Sequence, residues 1–457
     1  MLTGISVYRR IATPFVLAIA SGLGAAPCVA QAPVSRMDQV VQSFVDAKQF
    51  MGSVLVAQGD KILLNKGYGF ANLEWSIPDS PSTKFRLGSI TKQFTAASIL
   101  LLEERGKLKT DDPVKQYLPD APAAWDKITI FNLLTHTSGI PSFTSFPDYR
   151  STEAMPTTSE QLVARFRDKP LNFQPGESWE YSNSGYALLG YLIEKISGES
   201  YKDFVQENLF TPLGMKNSGY DLNAPIIERR AAGYAPGPEG PVNAGYIDMS
   251  IPFSAGALYS TTGDLLRWEQ GLFGGKVLSP ASLKKMTTPF KNDYAFGLGV
   301  RVVDGHTLIE HGGGIEGFNT QLSYYPYDKL TVIVLANLNG GAPTDIAAKL
   351  SSVAHGEKVI LTSERKEINV AKDILMRYVG TYAITPTIKN VITLEDGHLM
   401  TQLTNQPKFP LFAESETTFF LKVVDAQVEF SKDDKGAFTI LTIHQGGRDT
   451  KGLKQQP

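Results

Sequence analysis

The chain has 457 residues, a formal net charge of −2 and 20% charged residues. That length holds two or three domains with cores of their own. The balanced charge argues against nucleic acid or an anionic membrane as partner, and 42% hydrophobic with 10% aromatic residues is ordinary for a globular protein.

The N-terminus reads as an export signal. Tyr8-Arg9-Arg10 gives a positive start, residues 11–20 are apolar, and Cys28-Val29-Ala30 supplies small residues for cleavage. The expected cut follows Ala30, with Ala32 as second choice. The apolar core is shorter than the roughly 20 residues that span a bilayer. Cys28 is the only cysteine. Once it leaves with the signal, disulfides and thiolate metal sites are excluded. No metal or cofactor is expected, and no membrane span in the mature chain.

Residues 37–49 have helical spacing, and residues 52–69 read as two strands around a Gly-Asp turn. Phe85-Arg-Leu-Gly-Ser89-Ile-Thr-Lys92 then leads into apolar and small residues without a polar stripe, ended by Gly106. A helix apolar nearly all round is buried. Ser89 falls at its N-terminus, and Lys92, three residues on, shares its face. A serine hydroxyl needs a base, and a lysine whose pKa is depressed by burial can be one. The helix N-terminus adds N–H groups suited to an oxyanion. Ser-x-x-Lys recurs at Ser282/Lys285 and Ser363/Lys366 in charged, surface-like contexts. The pattern therefore counts only if partners for Ser89 appear further along.

Residues 128–141 form a short helix closed by a Ser-Gly turn, with His136 read as structural support of that turn. Residues 143–150 are an aromatic loop that either walls a pocket or covers core. Residues 174–177 are a turn before Trp179-Glu-Tyr181-Ser-Asn183 and a second apolar helix. That junction either projects Tyr181 and Asn183 into a site or merely caps the helix. Asp264, near the start of a later helix, reads as a dipole partner. Residues 294–337 read as consecutive antiparallel strands carrying His311 and the bare Gly312 to Gly314. Glycine there permits close approach of a bound substrate, or marks a bulge. Residues 357–372 are a charged linker. Beyond them, short alternating segments with Asp-Gly and Lys-Gly turns indicate a small all-β barrel or sandwich.

Ser89-Ile-Thr-Lys92, Tyr181-Ser-Asn183 and His311-Gly-Gly313, in that order, resemble the penicillin-recognising serine hydrolases. The similar branch is that of class C β-lactamases, D-Ala-D-Ala carboxypeptidases, D-aminopeptidases and related esterases. Leu133-Leu-Thr-His-Thr-Ser-Gly-Ile-Pro141 and the residues following Tyr181 match it too, and the likeness spans roughly residues 35–355. The tail resembles the lipocalin-like β domain of many exported members. The resemblance implies an α/β fold: an antiparallel sheet flanked by helices, with an inserted helical lobe and the site between them. The domains would be 1–30 signal, 31–356 hydrolase, 357–372 linker and 373–457 small all-β.

The resemblance also assigns roles. Ser89 would be the acylated nucleophile. Lys92 would accept or relay its proton. Tyr181 would act as general base or acid and activate the deacylating water. Asn183 would bind the substrate amide and orient Lys92. His311 would stand where many relatives carry lysine, Gly313 would let substrate lie along the strand, and the N–H groups of Ser89 and Gly314 would form the oxyanion hole. Two departures matter. Tyr-Ser-Asn replaces the class A Ser-Asp-Asn element, and His-Gly-Gly replaces Lys-Thr-Gly, exchanging a fixed cation for a histidine.

The function implied is an exported serine hydrolase, periplasmic or secreted from a bacterium, working through an acyl-enzyme on a small peptide, amide or ester. A D-amino-acid peptidase, carboxypeptidase or esterase ranks above a class C-type β-lactamase. A non-hydrolytic ligand- or cell-wall-binding protein is the rival from another class.

Overall fold

The computed structural model describes residues 31–445 and 448–455, so the export signal read over 1–30 lies outside the described residues. Five helices organise the first part of the chain: α1 (Gln31–Asp46), α2 (Thr91–Glu104), α3 (Asn183–Ser197), α4 (Thr262–Phe273) and α5 (Ala342–Ala354). Six strands form its antiparallel sheet: β1 (Gly52–Gln58), β2 (Lys61–Tyr68), β3 (Gly299–Val303), β4 (His306–Ile315), β5 (Phe318–Tyr325) and β6 (Leu330–Ala336). Their spatial order is β3-β4-β5-β6-β1-β2. The two ends of this region meet at β1 and β6, paired from Gly52↔Ala336 to Gln58↔Leu330.

Alternation explains why both faces of the sheet are covered. Val54, Val56, Val332 and Val334 enter one core with Met37 and Phe44 of α1 and Ile346 and Leu350 of α5. Leu55, Ala57, Ile333 and Leu335 enter the other, with Phe94 and Ile99 of α2. Apart from Ala57, each such side chain contributes about 2 kcal/mol on burial. The helical lobe, with α3 and α4, lies between β2 and β3 in the chain. Local signals set its helix ends: Ser182 Oγ accepts from Gly185 N–H at 3.3 Å, and Thr261 caps α4 through Asp264 N–H.

Two local readings change. Asp264 is more than a dipole partner: it is buried, and accepts from Asn217 N–H (2.6 Å), the Ser218 hydroxyl (3.0 Å) and Arg267 (2.9 Å), tying a preceding loop to α4. The strand expected from Tyr294 begins only at Gly299. Asn292, Asp293 and Gly297 adopt φ of +53°, +55° and +73°, which breaks the extended run.

The tail is a closed antiparallel barrel, not a sandwich. Its first and last strands, Gly380–Ala383 and Arg448–Lys454, pair through Tyr382↔Lys454 and Ala383↔Leu453. Its interior holds Tyr382, Ile392, Leu399, Phe430 and Leu441, with Tyr378 stacked on Phe430 at 4.3 Å. Arg36 of α1 pairs with Glu364 just before the barrel, and the barrel itself meets α5 through Lys349–Asp425 and the turn after α1 through Gln49 Nε2 to Val423 O. It therefore sits on the sheet face away from α2 and Ser89.

Candidate active site

Ser89 lies in a 3-10 turn, Gly88–Ile90, immediately before α2. The turn is wedged against the sheet. Gly88 has φ +55°, and a Cβ on it would stand 2.8 Å from Gly314 N. Leu87 N–H donates to Leu258 O at 2.8 Å, and Thr320 Oγ1 donates to Leu87 O at 2.8 Å. One residue before Leu87, Arg86 pairs with the fully buried Asp221, which also holds Arg230.

Gly313 is explained by the same wedge. A Cβ there would meet Leu87 O at 1.9 Å and Thr320 Oγ1 at 2.3 Å. The chain itself needs this glycine so that β4 can approach the serine turn, whatever passes along the strand. Gly314 follows at the edge of the cleft beside Ser89.

Lys92 Nζ is fully buried, 3.0 Å from Ser89 Oγ, 2.9 Å from Asn183 Oδ1 and 2.9 Å from Ala255 O. Burial pushes this lysine well below its ordinary pKa. A neutral amine has two N–H donors and one lone pair. Asn183 Oδ1 and Ala255 O can only accept, so they take the two donors. The lone pair is left facing the Ser89 hydroxyl. The Tyr181 and Tyr186 rings flank the amine at 4.8 and 5.5 Å. Their faces favour a cation, but burial is the dominant influence.

Tyr181 borders the same crevice. Burial pushes its phenol up, and contact with the Ser89 hydroxyl works the other way. It is protonated at neutral pH. Asn183, the first residue of α3, is held at both ends: its N–H donates to Ser142 Oγ (3.1 Å) and its Nδ2 to Thr144 Oγ1 (3.1 Å). The loop over residues 143–150 thus walls the pocket.

His311 Nδ1 donates to Gly312 O at 2.6 Å, which leaves Nε2 to accept from the Tyr294 hydroxyl at 3.0 Å. Both ring nitrogens are occupied within the chain. Burial above all pushes its pKa down to about 4, with the Gly312 carbonyl opposing. It offers no cation at neutral pH.

Ser89 opens on two spaces. One cleft of about 570 Å³ is lined by Phe143, Thr144, Tyr149, Asn183, Ile247 and Gly314, with Arg150, Glu153 and Glu316 also on its walls. Arg150 reaches Glu153 at 3.1 Å and Glu316 at 2.9 Å. The other, about 320 Å³, is lined by Tyr181, His311, Gly312 to Gly314, Asn319 and Thr344. Among the described residues, no lysine or arginine lines this second space.

Sequence reasoning missed Tyr294, Ala255 O, Ser142 and Thr144. Tyr294 was masked by a strand-like reading. A backbone carbonyl carries no sequence signal, and hydroxyls in loops are common.

Ser89, Lys92, Tyr181, Asn183, His311, Gly313 and Gly314 are thus brought to one crevice. The fold and that crevice define a serine hydrolase. The family profile described as Beta-lactamase matches residues 37–355, and the chain belongs to that family. A second profile, Domain of unknown function (DUF3471), matches residues 364–455. The chain is 29% identical over 442 residues to "Penicillin-binding protein 4*" of Bacillus subtilis (strain 168), covering 91% of this chain and 97% of that protein. An octameric penicillin-binding protein homologue from Pyrococcus abyssi superposes with a TM-score of 0.65 at 26% identity, covering 92% of this chain and all of that one (100%). A D-stereospecific amidohydrolase from Streptomyces sp. superposes with a TM-score of 0.58 at 26% identity, covering 72% of this chain and 98% of that one.

Proposed function

We propose that the protein is an exported serine hydrolase that cleaves amides or esters of small acyl groups, D-amino-acid derivatives first among them, through an acyl-enzyme on Ser89. One observation carries the reading: a fully buried lysine amine, held by Asn183 Oδ1 and Ala255 O, lies 3.0 Å from a serine hydroxyl.

Lys92 takes the Ser89 proton as Oγ attacks the carbonyl carbon. The oxyanion is met by the N–H groups of Ser89 and Gly314. As the carbon–nitrogen or carbon–oxygen bond breaks, the proton returns from Lys92 to the leaving group by way of the Tyr181 phenol. Water then attacks the acyl carbon, and its proton goes the reverse way to Lys92. The Ser89 ester breaks, the acid leaves and the hydroxyl is restored. Asn183 orients the amine and presents its amide to the acyl group.

The neutral state of His311, and a second space without lysine or arginine, support a leaving group that carries no carboxylate. That favours D-amino-acid amides and esters over β-lactams and over peptides ending in a free carboxylate. The Streptomyces relative, named for D-stereospecific amide hydrolysis, supports the same class. Residues 1–30 support export.

The test is a mass shift with a fluorophosphonate or a penicillin, absent in Ser89→Ala. It is followed by turnover of D-amino-acid amides, short aryl esters, a D-Ala-D-Ala peptide and a chromogenic cephalosporin. An adduct with turnover of the amides or esters supports the reading. No adduct under any condition would favour a binding protein.

A further inference from the structure

His136 is in an unusual state for a residue supporting a turn. It is buried, and its φ of +57° closes the short helix over residues 130–134, with Thr137 N–H donating to Asn132 O at 2.8 Å. Two further bonds tie it to a distant segment. Its carbonyl accepts from Glu180 N–H at 3.0 Å, and its Nδ1 accepts from Ser182 N–H at 3.1 Å. Those two donors flank Tyr181. In extended chain, the N–H groups of residues two apart point to the same side, so one residue can grip both. The imidazole also packs on the Tyr181 ring, with centroids 4.3 Å apart.

The tautomer follows. Because Nδ1 accepts, the ring proton is on Nε2. That N–H is buried and finds no acceptor among the described residues. Its surroundings are the rings of Tyr181, Tyr186, Tyr294 and Trp179. An unmade bond of this kind costs about 1–3 kcal/mol. A turn support would account for the positive φ but not for the orphan donor. An acceptor at Nδ1 that holds the far segment puts the proton on Nε2, where the surrounding rings leave it unpaired.

We propose that His136 is a positioning residue for Tyr181: its carbonyl and Nδ1 clamp the peptide groups on either side, and its ring backs the phenol so that the hydroxyl stays against Ser89. The proposal rests on the reading that Tyr181 moves protons in the reaction. His136 lines neither space beside Ser89, so it acts through Tyr181 and not on substrate.

The experiment compares His136→Gly, His136→Asn and Tyr181→Phe, with D-alanine p-nitroanilide and p-nitrophenyl acetate as probes. Glycine and asparagine both accept φ near +57°. Glycine removes the side-chain acceptor, while asparagine keeps an oxygen in the place of Nδ1. His136→Gly should lower kcat about 30-fold and leave KM within about threefold, the scale expected for a misplaced catalytic group. His136→Asn should recover to within about fivefold of the native rate. In a Tyr181→Phe background, His136→Gly should add no further loss. If the glycine variant does not fold, His136→Gln fills the space without an acceptor at Nδ1 and replaces it in the comparison. Equal losses in the Asn and Gly (or Gln) variants would overturn the clamp, as would a loss that persists beside Tyr181→Phe. Native turnover by Tyr181→Phe alone would sink the proton-transfer reading and the clamp with it. A dead Tyr181→Phe beside an unaffected His136→Gly would sink the clamp alone.

Discussion

The sheet-and-helix region and the barrel differ most in the polar groups they bury. The barrel's buried polar side chains are uncharged: Asn390, Thr401 and Thr442 among the described residues. Thr401 and Asn390 satisfy each other at 2.8 Å. The first region buries Lys92, His136, His311, Asp79, Asp221, Asp264 and Glu269. These fall into three kinds. Asp221 and Asp264 meet arginines and hold loops together. Lys92 and His311 border the Ser89 crevice, His136 stands behind Tyr181, and all three are driven toward their neutral forms. Asp79 and Glu269 are pushed up to about 8 by burial, yet neither lines the space beside a nucleophile. A buried ionisable group therefore marks chemistry only where it converges with a nucleophile on a cleft.

Lys92 is where that distinction breaks most visibly. Lys92→Ala should lower kcat/KM by roughly two orders of magnitude or more while the fold survives. On the proposed mechanism the lysine must be neutral to accept a proton. The rate should therefore rise with pH through an acid limb well below the ordinary lysine range, because burial lowers its pKa. Near-native turnover in the alanine variant would remove Lys92 from the reaction.

Glu269 tests the other kind. Its pKa is raised from 4.5 to about 8, so the native state holds its proton longer than the unfolded chain does. Its contribution to stability is complete below about pH 4.5 and is lost as pH rises through about 8, at about 1.4 kcal/mol per pH unit. Glu269→Gln removes this slope. The variant should gain about 4 kcal/mol over the native protein at pH 8, nothing at pH 4, and keep its activity. Denaturant unfolding at the two pH values measures the difference. An equal effect at both would mean that Glu269 does not titrate between them.

Much of this division could be read from the sequence. The uninterrupted apolar runs at 54–57 and 332–335 fit strands covered on both faces, because every residue there enters one core or the other. Ser89 and Lys92 are one helical turn apart, and Tyr181 and Asn183 adjoin a helix start, so local spacing shows them. What could not be read depends on distant pairing. Barrel closure needs Tyr382 to meet Lys454, and neither segment announces the other. The grip of His136 on Ser182 crosses 46 residues. The bond that occupies His311 Nε2 comes from Tyr294, which lies in a stretch whose alternation imitates a strand.

His311 sharpens the comparison from the substrate side, with a smaller effect. A lysine there would lose the imidazole's two internal bonds and offer a fixed cation to the smaller space. His311→Lys should raise kcat/KM for a carboxylate-bearing cephalosporin about tenfold relative to p-nitrophenyl acetate, the scale of one charge-assisted hydrogen bond. An unchanged ratio would mean that this position does not face the leaving group.

The smallest effect on turnover is expected across the sheet, where the barrel meets α5. Lys349 and Asp425 are 2.5 Å apart with side chains mostly buried, and Asp345 lies close enough that the Asp425 charge helps push it up to about 6. Removing the lysine leaves two carboxyl groups without their cation. Lys349→Ala should therefore cost about 1 kcal/mol of stability near pH 7, and less near pH 5, where Asp345 holds its proton. Turnover should stay within twofold of native, because this contact is on the sheet face opposite Ser89. Unfolding and ester hydrolysis measured on the same preparation separate the two. A large loss of kcat with stability intact would show that the barrel acts on the crevice through the sheet, and burying uncharged groups alone would then not make it a bystander to the chemistry.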